Sequence, residues 1–193
     1  MRPLLVLLSI AASLVLSFSA LAHSGDYVIH RDPDGVVLYE KITIQFDLAG
    51  EDIGRPGAYF IGLEGDHGNY YVQTPQGWEK FQGGIPNSYL DVPSLSGTLS
   101  LVLFETGKVT PAGSNQTICD TLRSQTGSDK VNIWLGYGVL LPEHEERIAT
   151  MHKINNPRMT PDHLRRFYVF ETAGTDNRTS KVLSLDCTPP VVF

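Results

Sequence analysis

Val131-Asn132-Ile133-Trp134-Leu135-Gly136-Tyr137-Gly138-Val139 decides the fold class of this chain. Its odd-numbered residues are all apolar or aromatic, while the even-numbered ones are Asn, Trp and two Gly. A period of two is that of a β-strand, whose successive side chains point to opposite faces. Val131, Ile133, Leu135, Tyr137 and Val139 carry the larger apolar load, so their side is expected to face a core. Trp134 then stands on the other face beside Gly136 and Gly138, where the missing side chains leave a shallow step for a partner's backbone or ring. The competing expectation is that residues 152–193 fold back and cover Trp134 in a second small core.

Outward from this strand the alternation recurs. Ile42, Ile44, Phe46 and Leu48 alternate with Lys41, Thr43, Gln45 and Asp47, and Leu99, Leu101 and Leu103 repeat the spacing. Shorter strands are expected at 27–30, 58–63, 70–74, 78–81, 166–171 and 181–185. Turn chemistry separates them at Asp32-Pro33-Asp34-Gly35, Arg55-Pro56-Gly57, Pro75-Gln76-Gly77 and Gly174-Thr175-Asp176-Asn177. Pro142 to Ile148 begins like a short helix, and Thr160 is placed to cap a single helical turn. Residues 105–130, rich in Gly, Ser and Thr, read as a long loop around Cys119. The prediction is an all-β chain, a single antiparallel β-sandwich with one or two short helices, filling residues 23–193 as one domain.

Residues 1–22 read as a signal peptide. Arg2 precedes the apolar run Leu4 to Leu16, and Ala20-Leu21-Ala22 offers the small-x-small pattern of a cleavage site. The run is shorter than the ~20 residues that span a bilayer. A periplasmic or secreted location is therefore expected, with no stable membrane insertion after signal cleavage. Among the 193 residues, 15 Lys and Arg face 21 Asp and Glu, a net charge of −6 that argues against a nucleic-acid partner. Cys119 and Cys187 are the only two cysteines, and in an oxidising compartment such a pair forms a disulfide.

Tyr70-Tyr71-Val72-Gln73-Thr74-Pro75-Gln76-Gly77-Trp78-Glu79-Lys80-Phe81 and the strand Ile133-Trp134-Leu135-Gly136-Tyr137-Gly138 together resemble a β-sandwich domain recurrent in exported bacterial proteins. The resemblance covers roughly residues 36–150. It implies a non-enzymatic module, found alone or in larger surface proteins, some linked to type IV pili or adhesion. No catalytic set comes with it. The 105–130 insertion, the Glu-rich segment after Gly138 and the tail from 152 depart from the pattern.

The aromatic residues are the main candidates for a site. Trp78, Tyr71 and Phe81, with Trp134, are expected to hold a binding surface, either for a protein partner or for sugar rings, although core packing also consumes aromatics. A third reading is copper. Cleavage after Ala22 would put His23 at the mature N-terminus, where an amino group and an imidazole chelate Cu(II) if His30, His67, His144, His152 or His163 adds a nitrogen. Asp32, Asp34 and Glu40 match a calcium loop incompletely and read better as a turn. Glu143, Glu145 and Glu146 lie too close on one helix to flank a substrate. No nucleophile elbow, phosphate loop or dinucleotide fingerprint occurs. The expected function is an exported binding or assembly module with no cofactor and no catalysis, accessory to a surface fibre or adhesion system. The alternatives are a copper protein using His23 and a carbohydrate-binding module.

Overall fold

The alternating stretch forms β8 (Lys130–Val139), the strand around which the larger sheet is organised. The computed structural model describes residues 23–34, 37–106, 117–152, 160–175 and 178–189, so the signal-peptide expectation for residues 1–22 lies outside it. The described chain is mostly β, with two antiparallel sheets and three α-helices. β1 (His23–Arg31), β2 (Val37–Asp47) and β7 (Thr98–Thr106) form one sheet in the order β1-β2-β7. The other runs β5-β4-β3-β8-β9, from β3 (Gly57–Glu64), β4 (Tyr70–Thr74), β5 (Gly77–Lys80), β8 and β9 (Thr179–Asp186). A short β6 (Leu90–Val92) also pairs with β3.

Face assignment follows the alternation. Val131, Ile133, Leu135, Tyr137 and Val139 are buried in one core with Ile61 and Leu63 of β3 and with Ile42, Ile44 and Phe46 of the smaller sheet. Each side chain of this size, fully buried, is worth about 1.5–3 kcal/mol in area removed from water. Tyr137 reaches through the core and donates its hydroxyl to Asp52 Oδ2 at 2.8 Å, while accepting the Ala49 N–H at 3.2 Å. Arg178 completes this buried set, its Nε 2.8 Å from the same carboxylate oxygen. Burial first, and the Asp52 charge after it, push the Tyr137 phenol above its ordinary value.

Three expectations are corrected. Residues 166–171, read as a strand, lie inside α3 (Pro161–Thr175). Their aromatic and β-branched residues mimic a strand, but Leu164, Tyr168, Val169, Thr172 and Ala173 are buried at helical spacing. Thr160 does cap this helix, through His163 N–H at 3.2 Å, and the helix then runs well beyond one turn. Second, part of the segment read as a loop is α1 (Ile118–Thr126). Thr117 and Asp120 form a capping box there, and Gly127, at φ 71°, ends the helix. Residues 107–116 of that segment lie outside the described residues. Third, with α2 (Pro142–His152) the helices number three among the described residues, and they are longer than expected.

The expected disulfide is present: Cys119, on α1, is bonded to Cys187, just after β9. The same helix is also held from the opposite sheet. Buried Glu40 of β2 accepts the Ile118 N–H at 2.6 Å and the Tyr27 hydroxyl at 2.7 Å, placing a carboxylate at the positive end of α1. This disposes of the calcium loop: Glu40 points inward, and Asp32 accepts the Asp34 N–H at 3.0 Å in an ordinary Asx turn.

The tail also supplies a second, smaller core on the outer face of the larger sheet. Ala58, Leu140, Ile148, Leu164, Tyr168 and Val169 cluster there, beneath α2 and α3. A Cβ on Gly138 would lie 1.8 Å from the Val169 carbonyl oxygen, so α3 rests directly on that glycine. The glycine step therefore receives the chain's own helix. Trp134, four residues before Gly138, remains half-buried at its margin.

Candidate binding groove

Beyond the edge of α3 the outer face of the larger sheet is open. A groove of about 510 Å³ lies over β3, β4 and β8, within the range of ligand pockets. Because Tyr59, Ile61 and Leu63 point inward, Phe60, Gly62 and Glu64 point into this groove, and Trp134 joins them opposite Gly62 in the ladder. Phe170 and Ala173 of α3 form one wall, while Phe81 and Pro86 stand on the other side. Phe60 and Phe170 meet edge to face at 5.7 Å. A second hollow of about 300 Å³ adjoins the first, sharing Phe60 and Pro86.

Glu64 closes one end. Its Oε2 accepts the Trp134 indole N–H at 2.8 Å and the Asn132 amide at 3.0 Å, and its Oε1 accepts the Tyr70 hydroxyl at 3.1 Å. Ser184 in turn donates to Asn132 Oδ1 at 2.7 Å. The Trp134 bond, supported by Asn132, Tyr70 and the Lys181 charge, holds the Glu64 carboxyl below its ordinary range despite some desolvation. The indole is thus fixed in orientation, and the polar atoms around it already have partners. The remaining surface is largely apolar, and Glu64 is the one carboxylate among its described lining residues.

Gly62 carries a further signal. A glycine inside a strand costs about 0.5–1 kcal/mol against alanine. Neither packing nor backbone conformation demands one here: an added Cβ would meet the Tyr71 carbonyl oxygen at 3.5 Å and Trp134 Cβ at 3.7 Å, ordinary contacts. Its absent side chain keeps the groove floor open beside the indole.

Of the expected site residues, Trp134, Phe81 and Tyr71 border this groove. Tyr71 also packs against the main core, as its pairing with Leu63 requires. Trp78 goes elsewhere: it packs on the core side and stacks on Phe104 with centroids 5.9 Å apart and planes 6° from parallel. Phe60, Gly62, Glu64 and Phe170 escaped the sequence reading. The faces of Phe60 and Gly62 were accessible to it, because the alternation applied at 131–139 also assigns faces within 58–63, but their place beside Trp134 comes only from the ladder.

His23 lies at the start of β1, its ring stacked on Phe46 at 3.9 Å. Its Nδ1 is buried and has no hydrogen-bond partner among the described residues, and desolvation lowers the imidazole pKa against the opposing pull of Asp47. Of its suggested partners, His30 contacts the Tyr39 ring and His144 stacks on Tyr168. No group of three or more His, Cys, Asp or Glu side chains gathers around a common point among the described residues. None of the helices among them is long and apolar enough to cross a membrane.

No protein-family model, curated protein or solved structure matches this chain.

Proposed function

We propose that this chain is an exported, non-enzymatic binding or assembly module that seats an apolar ridge of a protein partner in the Trp134 groove. The single observation that carries the reading is Gly62, a strand glycine that folding does not require and whose missing side chain leaves the groove open. A fixed indole, aromatic walls and an open trough suit the projecting side chains of a partner, as buried aromatic anchors suit protein interfaces generally. Sugar binding has less support, since the polar side chains beside Trp134 are already engaged with one another.

Export rests on the signal-like residues 1–22 and fits the disulfide. The single core shared by both sheets supports a β-sandwich arrangement. A role beside a surface fibre or adhesion system rests on the resemblance of residues 36–150 alone.

A random peptide display library selected on the immobilised protein tests the groove. Selected peptides should carry apolar or aromatic residues and should bind Gly62→Val, once its thermal unfolding shows it as stably folded as wild type, at least about tenfold more weakly, or 1.4 kcal/mol. Equal binding to wild type and Gly62→Val would overturn the reading. Glycan-array hits that disappear in Gly62→Val would favour sugars instead.

A further inference from the structure

Residues 81–89 carry the groove wall that stands opposite α3. The loop is tied down at its two ends, by the Phe81 N–H on the Tyr70 carbonyl and the Tyr89 N–H on the Tyr59 carbonyl, each at 2.8 Å. Between these ties, residues 82–88 make no backbone–backbone hydrogen bond among the described residues. Gly83 and Gly84 follow one another at φ 93° and 83°, and a Cβ added to either would meet nothing within 4 Å. Only the left-handed backbone asks for glycine there, so the pair marks the place where the loop can swing.

Beyond these glycines the loop approaches α3. Pro86 is buried and lines both hollows, so with Phe60 it divides the 510 Å³ groove from its 300 Å³ neighbour. Asn87 comes next, and its Oδ1 accepts a hydrogen bond from Arg166 Nη2 at 2.8 Å. Among the described residues this is the one hydrogen bond between the loop and α3. Its neighbour Arg165 is engaged with Glu145 and Asp162 instead. On the sheet side Asn87 Nδ2 donates to Glu79 of β5 at 3.3 Å. Arg166 and Asn87 are both exposed, and a hydrogen bond that competes with water in this way breaks and re-forms readily.

We propose that residues 82–88 are a gate, hinged at Gly83-Gly84 and latched to α3 by the Asn87–Arg166 bond, that swings aside to join the two hollows into one trough. With the gate open, Pro86 leaves the division between them, and the outer face of β3 from Ala58 to Glu64 becomes a single floor. Six strand steps cover about 20 Å, the length of an extended peptide segment with as many residues. The gate therefore serves a partner that lays down an extended stretch of chain. That use rests on the groove reading, whereas the gate itself rests on the loop and its latch.

A cysteine in place of Pro86 reads the gate in the full chain, because the two native cysteines are bonded to each other. The new thiol is covered while the gate is shut. Its reaction with a small thiol reagent should be at least about threefold faster in Pro86→Cys/Arg166→Ala than in Pro86→Cys alone, at equal stability in urea. Equal rates, or labelling no faster than global unfolding, would overturn the gate. Should Pro86→Cys fold poorly, backbone amide relaxation of the otherwise wild-type chain decides. The amides of residues 82–88 should then be more mobile than those of Phe81 and Tyr89, and more mobile still in Arg166→Ala. Uniform relaxation across residues 81–89 in both proteins refutes the proposal. A gate signal in a protein whose selected peptides bind Gly62→Val as well as wild type would sink the groove reading alone and leave the gate standing.

Discussion

Trp134 and Glu64 are diagonal neighbours across the β3–β8 ladder, joined by a 2.8 Å hydrogen bond from the indole N–H to the carboxylate. Such diagonal pairs lie within reach of long side chains on one sheet face. Here the pair does more than stabilise the ladder, because it turns a half-buried tryptophan into a fixed part of the groove.

That bond should be visible in a pH titration. The Glu64 carboxyl has a lower pKa folded than unfolded, so its contribution is complete above the ordinary carboxylate range and is lost as pH falls through the lowered folded value. In a Trp78→Phe background, emission from Trp134 should stay constant through the ordinary carboxylate range and change only once pH falls below it. Glu64→Ala should remove that step. An identical step in Glu64→Ala would assign it to another group.

Truncating the indole should cost moderately. Trp134 is half-buried, so Trp134→Ala is expected to lose about 1–2 kcal/mol in urea unfolding, below the ~3–5 kcal/mol of a fully buried tryptophan. A loss above about 3 kcal/mol would show that Trp134 serves chiefly as core.

The deepest polar contacts should be the least forgiving. Arg178→Met strands the Asp52 carboxylate, whose side chain is 1% exposed, and should cost about 3–5 kcal/mol. Tyr137→Phe removes one donor to Asp52 and the acceptor of the Ala49 amide, and should cost about 1–3 kcal/mol. Denaturant unfolding measures both, and a near-neutral Arg178→Met would mean that water reaches Asp52.

Replacing Cys119 and Cys187 together by serine should lower stability by about 2–4 kcal/mol, since the bridge closes a sequence separation of 68 residues. Non-reducing peptide mapping should find the two linked in protein from its native compartment. Two alkylatable thiols there would show that the bridge does not form in that compartment.

The β-strands were legible wherever one face is buried, because alternation is imposed by burial itself. Ile42 to Leu48 and Val131 to Val139 are the clear cases. Residues 166–171 were not legible, since Phe167, Tyr168, Val169 and Phe170 satisfy strand preference while packing decides for a helix. The groove was half legible. Trp134 and Phe81 stand out by residue type, whereas Glu64 and Gly62 acquire meaning only through the ladder that sets them beside the indole. Proximity in sequence misled for Trp78 and Phe81, which the alternation of one hairpin sends to opposite sides of a sheet.

Since α3 rests on Gly138, the order of chain delivery acquires a meaning of its own. The helix that walls the groove, the strand β9 and the cysteine that closes the bridge all follow residue 160. A chain emerging N-terminus first would present Phe60, Trp134 and the bare glycine strip before anything could cover them. The groove would then be finished last, and an interrupted or clipped tail would leave a sticky sheet face in place of a binding site.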